Sequence, residues 1–250
     1  MEGYALGLES SFRTLTFKSI VLILFFLNLS ACEDRIFDNP LDPDASFRAF
    51  EIINIFGLDP SAVYGLTWDG SSLWACNRDN SSLLMIDRLS GSVIRRLASP
   101  VPDPVSIHYE NEIFFIIARN SNKLYKMDYY NGKILYSMNV SLNKMTAIAG
   151  DGNDLFIGDE STRQIYRVNK ETGELISGFK YAGAKIDGMT YWEGYLWVSD
   201  SSSSSILKIK LDGSVEAGYK APEQSPKGLA TDGIFLWNAD ASGKLFQLKF

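Results

Sequence analysis

Residues 65–97 read GLTWDGSSLWACNRDNSSLLMIDRLSGSVIRRL, and this stretch is restated with variation until the chain ends. The copies are SIHYENEIFFIIARNSNKLYKMDYYNGKILYSM from Ser106, AIAGDGNDLFIGDESTRQIYRVNKETGELISGF from Ala147, GMTYWEGYLWVSDSSSSSILKIKLDGSVEAGY from Gly188 and GLATDGIFLWNADASGKLFQLKF from Gly228. Their starts fall about 41 residues apart, within the range of periods at which internal repeats build propellers or solenoids. One aromatic marks each copy at the same place: Trp74, Phe115, Phe156, Trp197 and Trp237. Three positions later, four copies carry a polar residue, Asn77, Asp159, Asp200 and Asp240, and one carries Ala118.

Each copy divides into four short apolar runs separated by Gly, Asp, Asn and Ser, the pattern of strands joined by hairpins. No copy holds a helix-length segment with apolar residues at the 3.6 period. Four antiparallel strands repeated radially make a propeller blade. The last copy stops at Phe250 after its third strand, and the run FRAFEIINIF at 47–56 supplies the missing fourth. That run ends nine residues before Gly65, just as Leu97 ends nine before Ser106. The expectation is an all-β, five-bladed β-propeller over residues 47–250, closed by the N-terminal strand pairing beside residues 244–250. Closure removes two exposed strand edges. A blade packs against a neighbour on both faces, so the repeated aromatic reads as core between blades and not as a sugar-stacking surface.

Residues 1–31 read as a signal segment. Arg13 and Lys18 precede the apolar run IVLILFFL at 20–27, which is too short to span a bilayer comfortably. Leu29-Ser30-Ala31-Cys32 follows and resembles the lipobox of bacterial lipoproteins. The resemblance implies cleavage before Cys32, lipidation of that cysteine, and a protein held on a membrane without crossing it. Glu33 and Asp34 come next, and acidic residues there resemble lipoprotein sorting signals, so the outer membrane is the expected address. Residues 32–46 carry Pro40, Pro43 and five acidic residues, a composition suited to a solvated tether. With Cys32 committed to lipid, Cys76 has no disulfide partner and reads as a small buried hydrophobe. A net charge of −6 argues against nucleic acid as a partner.

Propellers bind ligands at the channel mouth, through the loops entering the first strand of a blade and those joining its second and third. The entering loops are GLDPSAVY, ASPVPDPV, NVSLNKMTA, KYAGAKID and KAPEQSPK, and the others are RDNSS, RNSNK, ESTRQ, SSSSS and ASGK. Their dissimilarity fits a shared scaffold with a particular surface. The candidate mouth residues are Asn77, Asp159, Asp187, Asp200 and Asp240. A ring of carboxylates at one height could hold calcium, but recurrence in nearly every blade favours a second reading, in which each side chain caps its own hairpin turn. The one histidine, His108, lies on an innermost strand with no nucleophile or carboxylate assigned to it by spacing, and reads as structural.

The segments DGNDLFIGDESTRQIYRVNKETGEL from Asp151 and EGYLWVSDSSSSSILKIKLDG from Glu193 resemble NHL-type and YVTN-type propeller repeats. Such repeats occur in extracytoplasmic binding and scaffold proteins, in gluconolactonase-like enzymes and in glutaminyl cyclases. The acidic signature of the cyclases, of the type Phe-Thr-Glu-Gly-Leu, is unmatched: Tyr64-Gly65-Leu66 and Lys227-Gly228-Leu229 lack the glutamate. Two functions follow as expectations. The first is a monomeric, non-catalytic binding or scaffold module for an envelope protein or glycan, without a cofactor. The second is a hydrolase or cyclase working through mouth carboxylates, with Asp187 and Asp159 as candidates.

Overall fold

The structure, a computed structural model, describes residues 47–58 and 63–250. Cys32, the apolar run before it and the acidic tether lie outside the described residues. Among the described residues no helix is long and apolar enough to cross a membrane.

Two strands come first, β1 (Arg48–Ala49) and β2 (Glu51–Gly57). Blade 1 follows with β3 (Val63–Trp68), β4 (Leu73–Asn77), β5 (Ser82–Ile86) and β6 (Val93–Ala98). Blade 2 has β7 (Pro104–Glu110), β8 (Ile113–Ala118), β9 (Lys123–Asp128) and β10 (Ile134–Asn139). Blade 3 has β11 (Met145–Gly150), β12 (Leu155–Asp159), β13 (Gln164–Val168) and β14 (Leu175–Lys180). Blade 4 has β15 (Gly188–Trp192), β16 (Tyr195–Asp200), β17 (Ser205–Ile209) and β18 (Val215–Lys220). Blade 5 has β19 (Pro226–Thr231), β20 (Leu236–Asp240) and β21 (Lys244–Lys249), with β2 as its outer strand. The innermost strands contact one another in sequence, and β19 returns to β3, so the chain is a closed five-bladed β-propeller.

Local chemistry makes the hairpins. Between the first two strands of blades 1, 3 and 5 stand Asp69-Gly70, Asp151-Gly152 and Asp232-Gly233. Each aspartate accepts the backbone N–H groups two and three residues on, and each glycine takes the positive φ that the turn requires. In blades 1 and 5 the second carboxylate oxygen accepts the indole N–H of the marker tryptophan, Trp74 at 2.7 Å and Trp237 at 3.0 Å.

The core is divided among the interfaces. Five buried apolar clusters occur, one between each pair of neighbouring blades, and each holds a different marker aromatic: Trp74, Phe115, Phe156, Trp197 and Trp237. None of these five exceeds 3% exposure. Cys76 belongs to the cluster between blades 1 and 2, where burial pushes its thiol pKa up and leaves it inert. Toward the axis the inner strands meet closely. A Cβ on Gly228 would lie 2.1 Å from the Tyr64 carbonyl oxygen, and one on Gly188 would lie 2.0 Å from that of Lys227. Only glycine permits those approaches.

The N-terminal run departs from its expected single strand. Glu51–Gly57 pairs antiparallel with β21, from Glu51↔Lys249 to Gly57↔Lys244, and closes the ring. Arg48 and Ala49 instead pair in parallel with Tyr219 and Lys220 on the outer edge of blade 4. The break falls at Phe50, whose ring stacks on Tyr219 at 4.5 Å, while Phe47 fills the space above Gly218. Two aromatic anchors thus carry the chain from one blade to the next before the closing strand begins.

Trp197 lies between blades 4 and 5, ringed by Phe50, Trp192, Tyr219 and Phe250. Trp197→Ala is expected to cost about 3–5 kcal/mol, read as a lowered urea midpoint at unchanged slope. A midpoint equal to that of the wild type would show that the interface does not depend on it.

Candidate functional site: the channel mouth

The mouth is shaped by a recurring irregularity at the start of the innermost strands. The pairing of β3 with β4 skips from Val63 to Leu66, that of β7 with β8 from Pro104 to Ser106, that of β11 with β12 from Met145 to Ala147, and that of β19 with β20 from Pro226 to Leu229. Bulges re-aim side chains. The re-aimed residues are Tyr64, Val105, Thr146 and Lys227, and blade 4 supplies Asp187 immediately before β15. These five occupy one repeat position, and all five line a single cavity of about 380 Å³ at the channel mouth. Above them stand Arg78, Arg119, Asn120 and Glu160 from the loops after second strands, and Lys144 and Lys185 from the entering loops. Met145 and Ile186 complete an apolar part of the wall.

Each blade therefore brings one cation: Arg78, Arg119, Lys144, Lys185 and Lys227 in order. They come from three different repeat positions. Asp103 is shared by two of them, accepting from Arg78 Nε at 2.6 Å and lying 3.5 Å from Arg119 Nε. Arg78 also lies over the Tyr64 ring, 4.3 Å from its centre. Lys144 pairs with Glu160 at 2.7 Å. Lys227 pairs with Asp187 at 2.6 Å, and the other oxygen of Asp187 accepts the Ser201 N–H. Lys185 is exposed and makes no ion pair among the described residues. Five cations thus face three carboxylates in a protein of net charge −6.

Of the residues singled out from sequence, only Asp187 lines this cavity. Asn77, Asp159, Asp200 and Asp240 are at most 2% exposed and are engaged in the hairpin turns that follow them. Asn77 accepts the Asp79 N–H, Asp159 the N–H and hydroxyl of Ser161, Asp200 the N–H of Ser202, and Asp240 the N–H and hydroxyl of Ser242. Two of them reach further. Asp159 Oδ2 accepts the Asn143 N–H at 2.9 Å, and Asp200 Oδ2 accepts the N–H groups of Ala184 and Lys185 at 2.8 and 3.1 Å. These carboxylates fasten the backbone from which Lys144 and Lys185 project, a positioning role beyond the turn capping expected of them. Burial alone would raise the pKa of Asp159, but the bonds from Ser161 and the amides of Asn143 and Lys144 outweigh it and hold the group below the usual carboxylate range. Among the described residues no three His, Cys, Asp or Glu side chains gather as metal ligands would.

His108 stands toward the far end of the channel, four residues along β7 from Pro104. Its imidazole fills the space opposite Gly150, where a Cβ would lie 2.4 Å from Nε2. It lies 3.9 Å from Glu110, which also pairs with Lys170, and the two neighbours hold Glu110 below its usual pKa against the effect of its burial. No nucleophile stands among these contacts.

The basic ring escapes a reading by repeat column because no column carries it. A usable signal was present: every entering loop from blade 3 onward contains lysine, and the two loops that follow Asn77 and Ala118, where the other blades have aspartate, begin with arginine.

No protein-family model matches this chain, and no curated protein matches its sequence. Solved structures match it in shape. The glutaminyl cyclase of Myxococcus xanthus superposes with a TM-score of 0.71 at 13% identity, over 81% of this chain and 96% of that one. Regucalcin from Agrobacterium tumefaciens, a calcium-binding protein, gives 0.56 at 16% identity, over 82% and 96%. Virginiamycin B lyase from Staphylococcus aureus gives 0.51 at 17% identity, over 78% and 68%. At these identities the similarity is one of fold.

Asp159→Ala is expected to lower stability at neutral pH by about 1–3 kcal/mol, because it removes the charged acceptor of the bonds from Ser161 and Asn143. The native pKa lies below the unfolded value of about 3.8, so this stabilisation is present above pH 3.8 and is lost as the pH falls through the native value. The gap between the urea midpoints of wild type and variant should therefore be smaller at pH 3 than at pH 7. A constant gap would contradict the assigned charge state.

Proposed function

We propose that this protein is a lipid-anchored extracytoplasmic propeller that binds an envelope protein or glycan through acidic groups received at the channel mouth, and does no chemistry on what it binds. The observation that carries this reading is the cation brought to one cavity by every blade. The volume, about 380 Å³, lies in the usual range of small-ligand sites and suits a terminal group better than a broad face. Cations gathered in a concave mouth raise the local concentration of anions and speed their arrival. The more exposed pairs, Lys144 with Glu160 and Arg119 with Asp103, are individually worth only about 0–1 kcal/mol, so an incoming anion displaces those carboxylates at small cost.

A hydrolase or cyclase would need a mouth carboxylate free to take or give a proton. Glu160 and Asp187 are each held by a lysine, and Tyr64 and Lys227 stand where the cyclase signature has its glutamate. The NHL-like and YVTN-like repeats fit a binding role, and the lipobox-like Leu29-Ser30-Ala31-Cys32 supports an anchor through Cys32, with the outer membrane as its address.

Two measurements test this. Cys32→Ala should move the protein from the membrane fraction to the soluble fraction, and full retention in the membrane would refute the anchor. Chemical cross-linking of the intact lipoprotein in its native envelope, followed by mass spectrometry, should capture one dominant partner, lost when Arg119 and Lys185 are changed to Glu. Capture that is indifferent to both charge reversals would place the binding surface elsewhere.

A further inference from the structure

The excess charge of the mouth is not spread evenly around the ring. Lys144 with Glu160 and Lys227 with Asp187 are balanced pairs. Arg78 and Arg119 share one carboxylate, Asp103, which leaves about one positive charge at the junction of blades 1 and 2. Lys185, on the loop entering blade 4, has no carboxylate partner among the described residues. In a ring of five, blade 4 faces the junction between blades 1 and 2. The two uncompensated cations therefore stand across the cavity from one another.

The two sides also differ in kind. Asp103 engages both arginines through Nε, and among the described residues their terminal amino groups have no other hydrogen bond. Those groups form a fork suited to the paired oxygens of a carboxylate or phosphate. Lys185 offers a point charge on a flexible stem, but its backbone is fastened to Asp200, which limits where the ammonium can reach. Blades 2, 3 and 4, along the arc from one to the other, contribute Val105, Met145 and Ile186 to the cavity wall, apolar groups that suit a short hydrocarbon spacer.

We propose that the mouth binds a dianion: two acid groups on one short scaffold, the first held by Arg78 and Arg119 and the second by Lys185. This rests on the mouth being the binding site of the proposed function, and it names the group received there. A free dicarboxylic acid and the acidic end of a larger chain present the same chemistry. A peptide ending in aspartate, with its two terminal carboxylates, represents the second source.

The test is isothermal titration calorimetry on the full-length lipoprotein in detergent at low ionic strength. The probes are glutarate, butyrate as its one-acid counterpart, and an acetylated tripeptide ending in aspartate. At least one of the two dianions should bind at least about tenfold tighter than butyrate, a difference of about 1.4 kcal/mol. Lys185→Ala should abolish that preference while leaving the weaker binding of butyrate, and Arg119→Ala should weaken both, each variant keeping the wild-type melting temperature. Binding of glutarate alone identifies a free small acid, and binding of the tripeptide identifies a chain end. Equal binding of mono- and dianions would overturn two-point recognition while leaving the mouth an anion site. A dianion preference that survives Lys185→Ala would overturn the assignment of the second contact. No saturable binding of any probe would overturn the mouth as an anion site as well.

Discussion

No blade of this protein can bury its own apolar faces. Each marker aromatic sits in a cluster shared with the next blade, so the interior consists of five interfaces with no single centre. The consequence is an all-or-nothing ring: an open end would expose one such face and the edge of a sheet together. The chain meets this by splitting a blade between its termini. β2 completes blade 5, and the Phe47 and Phe50 contacts bind the segment before it to blade 4. Closure is thus secured on both sides of the last interface.

The same constraint frees the mouth. Since the blades are held by their flat faces, the side chain that follows the first residue of an inner strand is free to differ from blade to blade. Bulges in four blades each turn one residue toward the mouth, blade 4 adds Asp187 just before its first strand, and the five residues there, Tyr64, Val105, Thr146, Asp187 and Lys227, have nothing chemical in common. A repeated backbone carries an unrepeated surface. The repeated chemistry lies one layer behind, where Asp159 and Asp200 join a hairpin turn to the adjacent entering loop. Loops tied in this way hold their cations in place before any ligand arrives, which lowers the ordering cost of binding.

Blade 2 shows how the scaffold yields to the surface. Its marker Phe115 is followed by Ala118 where the other blades have a side-chain cap. Its entering loop keeps the backbone link found in blades 3 and 5: the Asp103 carbonyl accepts the Arg119 N–H at 3.0 Å, as the carbonyls of Lys144 and Ser225 accept the N–H groups of Glu160 and Ala241. The Asp103 carboxylate is then free to face Arg78 and Arg119.

The sequence by itself determined the fold, because period, turn chemistry and the marker aromatics are local and repeat five times, and the split blade could be counted from the lengths of the two ends. It also located the mouth loops, since their dissimilarity stands out against the repeats. It did not separate capping carboxylates from lining ones: Asp187 and Asp200 look alike in one dimension, and only the three-dimensional arrangement shows one facing the cavity and the other buried under a turn. Nor could it assemble the basic ring, whose members occupy three different repeat positions and meet only because five blades converge on one axis. The division of the N-terminal run at Phe50 belongs to the same class, for it depends on Gly218 and Tyr219, more than 160 residues away in the chain. What repeats along the chain can be read along the chain, while what converges from several repeats is decided by closure of the ring.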